Sequence, residues 1–433
     1  MMLDLANEMA GGFVWATGIE NTFVPQTRAG MRSLDEYELT QHYKFWRTDF
    51  DLVAETGVQA LRWGIPWYRV QPKPKQWDWR WTDEALDYLV NVKRIAPILD
   101  LMHYGTPLWL DNSFINAGYP QRVAEYAAAV AERYGSLVKI YTPLNEPTIN
   151  AHMAGRRGQW PPYLHGEDGY YRVLVSLARG MVLTTRALLS VQPDAKTVQV
   201  EAVGYRWAKD PRLAQRVAAE NAAQFLAFDL STGRVDESHF LYPCLLEHGV
   251  SEHDLNWFQR HAVTYDVLGA NFYPWSFSPM VERREKIRFL RHVTPGAALG
   301  QVLRMVYDHC QMPVMVTETS SDHDIVGRQQ WMDDTIDAVR GLRREGMPVV
   351  GYTWFPMFSL YNWDCRLSAR PLDGYLMHLG LYELQRDQDR LLQRTATPLV
   401  ERYREHMAAP MPLIGVSAGG DPEKNYGKTA TFK

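Results

Sequence analysis

The amino-acid sequence predicts an α/β fold: one closed barrel of eight parallel strands and eight helices, a (β/α)8 TIM barrel with its active site at the C-terminal mouth of the strands. Three observations carry the prediction. Short apolar runs alternate with amphipathic helical stretches along the whole chain. No GxGxxG turn, P-loop or GxSxG elbow occurs, whereas the rival doubly wound open sheet usually announces a nucleotide site in that way. The long connecting segments, 150–169, 274–294 and 356–393, follow strands rather than helices, which is where a barrel builds its site.

In chain order, the runs that read as strands span 13–17, 60–65, 96–103, 138–144, 197–203, 267–273, 314–317 and 349–355. Helical periodicity covers 35–56, 83–94, 120–134, 170–191, 211–230, 295–310, 328–345 and 398–406. Ser33 with Glu36 resembles a capping box, and Pro120 suits the start of a helix. One barrel domain over 1–411 and a polar, Gly-rich tail over 412–433 account for the chain.

Its 433 residues would suit two or three ordinary domains, but single barrels exceed that rule, and 46% apolar composition is ample for one large core. A net charge of -4 offers no electrostatic handle to nucleic acid or to an anionic membrane. Three scattered cysteines, Cys244, Cys310 and Cys365, form no metal spacing, and no disulfide is expected. Asp4 and Glu8 stand where a signal peptide carries basic and apolar residues, and the longest uncharged apolar stretch, 347–363, is broken by Pro, Gly, Ser and Asn. The expectation is a cytoplasmic protein without metal or cofactor. The SDHD run at 321–324 does not change this, because adjacent ligands on one short loop rarely complete a metal cage.

Two carboxylates carry the chemistry. The segment IYTPLNEP ends an apolar strand with Asn145, Glu146 and Pro147, and PVMVTETSS places Glu318 after another. Alone, Glu146 reads equally as a loop carboxylate capping the next helix, and Glu318 alone is weak evidence for chemistry. A closed barrel, however, brings the ends of its fourth and seventh strands around one mouth. Two carboxyls about 5–5.5 Å apart are what double displacement at an anomeric carbon requires. Glu318 would attack the carbon, and Glu146 would protonate the leaving oxygen and then activate water.

In its motifs the chain resembles glycoside hydrolase family 1, the β-glucosidase family, over about residues 11–385. The resemblance rests on GGFVWATG at 11–18, LRWGIPWYRV at 61–70, LMHYGTPLWL at 101–110, LNEP at 144–147, GANFYPW at 269–275, VTETS at 316–320 and GYTWFPMFSLYNWD at 351–364, in the family's order. It implies a retaining β-glycosidase acting on a small-molecule glycoside or oligosaccharide. Arg62 would sit beside Glu318, Tyr273 would donate to the same carboxylate, and Asn145 would hold the sugar 2-hydroxyl. His103 would hold the 3-hydroxyl, Trp354 would form the floor under the glycone, and Asn362–Trp363 would stand in the glycone loop.

The pattern breaks at the far edge of the glycone. Gly18 stands where the family places a Gln, leaving that contact missing unless Glu20 or Asn21 swings in. Asn362 replaces the family's Glu before Trp363, and Thr319-Ser320 replace the residues after the nucleophile. A natural glycone differing from glucose at C4 or C6 is therefore expected. Asp364 could partly replace the missing Glu. Arg366 and Arg370 read as a solvated loop or, alternatively, as partners for an acidic substituent. Trp77, Trp79 and Trp81 read as packing on one face of an extended segment, with a sugar platform as the alternative. Competing readings are a related barrel glycosidase of β-galactosidase or β-glucanase type, a transglycosidase, and a non-catalytic sugar-binding barrel.

Overall fold

Closure of the sheet decides the architecture. In the computed structural model, which describes residues 12–283, 286–290 and 294–414, eight parallel strands follow one another around a closed barrel in sequence order. They are β1 (Val14–Gly18), β2 (Ala60–Gly64), β3 (Ala96–Asp100), β4 (Ile140–Thr142), β5 (Lys196–Ala202), β6 (Val267–Asn271), β7 (Val314–Thr319) and β8 (Val349–Trp354). The barrel closes where β1 pairs with β8, from Val14 opposite Gly351 to Thr17 opposite Trp354. Each of the eight apolar runs read from the sequence is one of these strands.

Strand alternation sorts the side chains into two layers. Val14, Ala16, Ala60, Ile98, Val198 and Val200 belong to a compact inner cluster, while a larger apolar cluster fills the space between strands and helices. The inner layer is tight. At Gly269 on β6 an added Cβ would lie 2.7 Å from Thr317 Cγ2 and 2.8 Å from Val200 Cγ2.

The helices depart from the sequence reading where local chemistry interrupts the period. The stretch 35–56 is two helices, Glu36–Leu39 and His42–Thr56, separated at Gln41, which takes a left-handed φ of 60°. The expected Ser33–Glu36 capping box does not form. Asp35 is the N-cap and accepts from the Glu38 N–H. Glu36 is instead buried, both carboxyl oxygens facing the Tyr361 N–H, and burial raises its pKa well above the usual range. The stretch 211–230 divides into a short 3-10 turn, Ala214–Ala223 and Leu226–Ser231. Glu252–His261 is a helix missed in the sequence, although Ser251 and Asp254 form a full capping box at its start. Gly166–Val191 is apolar and long enough to cross a membrane, but it packs on Tyr119–Tyr134 and buries its apolar side in the barrel core.

The tryptophan triplet does not lie on a strand. Trp81 sits inside the helix Arg80–Asp87 and packs among Tyr37, Tyr43 and Trp63. Trp79 packs edge-on against Tyr134 and stacks on the more exposed Trp77 at 5.0 Å. The polar tail read from 412 onward lies almost entirely outside the described residues. Of the SDHD run, Asp324 is the N-cap of Ile325–Arg344.

The crowding at Gly269 gives a test of the inner layer. Gly269→Ala should destabilise the fold by about 1–3 kcal/mol through overpacking, read as a lowered midpoint of thermal unfolding.

Candidate active site

The mouth is built by continuing each strand's inward face beyond the apolar layer. On β2, Ala60 faces inward, so Arg62 does too. On β3, Ile98 is followed on the same face by Asp100; on β6, Gly269 by Asn271. The inner layer of apolar side chains thus carries a polar layer above it. β7 adds an irregularity. Its register shifts between Val316 and Glu318 against β6 and between Val316 and Thr319 against β8, the signature of a β-bulge, which turns Glu318 into the barrel alongside Thr317.

Arg62 is wholly buried and pairs with residues from three other strand ends. Its Nε and Nη2 meet Asp100 at 3.2 and 3.0 Å, its Nη1 donates to Glu318 Oε1, and its Nη2 donates to Asn145 Oδ1 at 2.7 Å. The second oxygen of Glu318 accepts from the Tyr273 hydroxyl at 2.7 Å. Burial, together with the charges of Glu146 and Glu20, lifts the Glu318 carboxyl to about 7 against the opposing pull of Arg62 and His103.

Glu146 is held by neutral donors. Asn271 Nδ2 donates to its Oε1 at 2.8 Å and the Tyr104 hydroxyl to its Oε2. Its backbone takes a left-handed φ of 44°, and Tyr104 takes 78°. For residues other than glycine such conformations cost about 1–3 kcal/mol each and persist only where surrounding contacts enforce them. Asn145 joins the two carboxyls into one network: its Oδ1 accepts from Arg62 and from Asn271 at 3.2 Å, and its Nδ2 reaches Tyr104 Oη at 3.1 Å and His103 Nε2 at 2.9 Å. Glu146 is 6% exposed and Glu318 4%, so both carboxyls are largely withdrawn from solvent.

His103 lies on the same network, its Nδ1 3.3 Å from Asp100 and its Nε2 3.5 Å from Glu20 Oε1. Burial alone would lower its pKa, but Glu20 and Asp100 outweigh burial and raise it. Of the two residues that could replace the missing contact, Glu20 is the one turned toward His103. It is buried and braced by the Thr22 N–H at 2.9 Å and the Thr22 hydroxyl at 2.6 Å. Gly18 cannot supply that contact, since a Cβ there would lie 2.4 Å from the Phe355 ring. Asn21 instead packs against Gly64.

The glycone loop differs from expectation. Trp363 reaches the site, its ring 5.4 Å from Tyr104 and 5.2 Å from Trp160. The Asn362 side chain stays within its own loop, Oδ1 accepting from the Asp364 N–H at 2.9 Å and Nδ2 facing Met377 Sδ. Asp364 is exposed. Arg366 is neither solvated nor free for an acidic substituent: it is buried and donates to the Val24 and Arg32 carbonyls and to Tyr163 Oη, holding the first and eighth mouth loops together. Arg370 remains exposed. The Trp354 indole is 0% exposed, with Nε1 donating to the Leu379 carbonyl, so it backs the site and offers no open floor.

Asp100, Asn271 and Tyr104 were not singled out in the sequence. The available signal was positional for Asp100 and Asn271, each a polar residue closing an otherwise apolar strand.

Residues 22–287 match Glycosyl hydrolase family 1. The chain is 25% identical to a bifunctional β-D-glucosidase/β-D-fucosidase of Bifidobacterium breve over 76% of this chain and 81% of that protein. It is 23% identical to β-glucosidase A of Thermotoga maritima over 76% of this chain and 80% of that protein. Its fold overlays a Thermotoga maritima β-glucosidase solved with castanospermine at a TM-score of 0.80, with 18% identity and coverage of 92% of this chain and 97% of that one. Barrel, motifs and relatives agree: the chain belongs to glycosyl hydrolase family 1, as an O-glycosyl hydrolase of the retaining β-glycosidase type.

Proposed function

We propose that Glu318 is the nucleophile and Glu146 the acid/base of this glycosidase, and that its glycone departs from glucose at C4 or C6. The asymmetry between the carboxyls carries the assignment of roles. Glu318 touches the one buried guanidinium of the network and a phenol, both of which favour its ionised form. Among the described residues, Glu146 has an amide and a phenol but no cation in contact. Glu318 is thus the carboxyl equipped to attack, and Glu146 the one equipped to pass a proton to and from an oxygen.

The steps follow from that distribution. Glu318 attacks the anomeric carbon while Glu146 gives its proton to the leaving oxygen. Glycosylation neutralises Glu318, and Glu146, now ionised, takes a proton from water as it attacks the same carbon. Asn145, fixed by Arg62 and Asn271, is placed to hold the 2-hydroxyl, where hydrogen bonding strengthens as the ring gains oxocarbenium character.

The altered specificity rests on the far edge. Glu20, a carboxyl where the family's Gln offers an amide that both donates and accepts, stands beside His103. Asn362 is committed to its loop, Arg366 to carbonyls, and Asp364 faces solvent. A gluco-configured ring would meet fewer hydroxyl partners there, a loss that discriminates strongly in a closed site. The cytoplasmic location read from the sequence stays part of the proposal.

Three outcomes are expected. A 2-deoxy-2-fluoro glycoside should add its glycosyl mass to the peptide bearing Glu318; turnover that leaves Glu318 unlabelled while another residue is labelled defeats the assignment. Among nitrophenyl β-glycosides, those altered at C4 or C6 should be preferred, and a clear preference for plain glucoside over all others refutes the glycone proposal. With a dinitrophenyl glycoside, which needs no proton, kcat/KM should fall as pH drops through about 7 because Glu318 gains a proton. Glu146→Gln removes one repelling charge and should move that limb to lower pH; an unmoved limb contradicts the coupling.

A further inference from the structure

Behind the wall that carries Glu146 lies a carboxyl the displacement chemistry does not use. Glu201 is on β5, next to Val200. Val198 and Val200 face the barrel interior, so alternation turns Glu201 to the opposite face, where it is 2% exposed. Its Oε1 accepts from the Thr148 hydroxyl and, at 2.9 Å, from the Ala202 N–H; its Oε2 lies 3.4 Å from the Thr148 N–H.

Thr148 is two residues past Glu146, in the short helix Pro147–Ala151 that opens at the left-handed Glu146. The Glu146 N–H donates to the Val200 carbonyl at 3.1 Å, so the kink is tied to β5 at its start and, through Thr148 and Glu201, two residues later. Two anchors on one strand fix the peptide planes on both sides of a strained residue, which is what its persistence requires. Glu318 has no share in this arrangement, being held by Arg62 and Tyr273 from β2 and the end of β6.

We propose that Glu201 is a positioning residue for the acid/base: by clamping Thr148 to β5 it holds the Glu146 kink and aims that carboxyl at the leaving oxygen. The inference rests on Glu146 being the acid/base. It assigns to the outer face of β5 control over one half of the reaction, proton donation, and leaves nucleophilic attack untouched.

The test compares kcat/KM for a phenyl glycoside, which needs proton donation, with that for the matching dinitrophenyl glycoside, which does not. Thr148→Val keeps the side-chain shape and loses the hydroxyl; Glu201→Ala removes the clamp. Both should lower the phenyl value by about 10- to 100-fold, as displaced catalytic groups do, and leave the dinitrophenyl value within about 2-fold. Thr148→Ser should restore the phenyl value. Glu146→Gln is the reference and should show the same selective loss. If Glu146→Gln lacks it, the acid/base assignment falls and the clamp with it. If Glu146→Gln shows it while the clamp variants lose both substrates equally, or neither, the clamp alone is overturned.

Discussion

The Arg62 guanidinium is the interaction on which the rest of the site depends. A fully buried cation is tolerated only with close partners, because removing one partner from such a group costs about 3–5 kcal/mol. Here the partners come from three different strand ends: Asp100 on β3, Asn145 just past β4 and Glu318 on β7. One side chain therefore ties the barrel mouth across its diameter and fixes the charge of the group that attacks. Stability and chemistry are the same contact, and neither can be altered alone.

Above the inner apolar layer, alternation does most of the positioning. Arg62, Asp100 and Asn271 each follow an inward-facing small or apolar residue by two places, so the strand pleat alone aims them at the axis. The two reacting carboxyls are the exceptions. Glu318 is turned in by a bulge and Glu146 by a left-handed kink. Departures from regular backbone thus fall on the residues whose direction the pleat does not supply, and each is enforced by hydrogen bonds from neighbouring strands.

Much of this was legible in the sequence. All eight strands could be placed, because buried parallel strands are nearly continuous apolar runs. The carboxyls, Arg62, Asn145, His103 and Tyr273 could be named from motif order. What was hidden depends on partners distant in the chain. Glu20 looked like a residue beside the site until its carboxyl met His103. Arg366 looked like part of a solvated loop, yet it closes on two carbonyls more than three hundred residues away. Trp354 was expected to offer a face, but Leu379 and the strand layer enclose it. Helix interruptions were missed for a local reason: Gln41 takes a backbone conformation that no apolar period records.

The central claim is that two acidic groups of opposite duty face one bond, and the stereochemistry of rescue by azide tests it most directly. With each carboxyl replaced in turn by glycine and an activated β-glycoside as donor, Glu146→Gly should yield the β-glycosyl azide, the anion entering where water normally does. Glu318→Gly should yield the α-glycosyl azide, the anion entering from the vacated nucleophile side. The opposite pairing of product and variant, or the same anomer from both, would contradict the account.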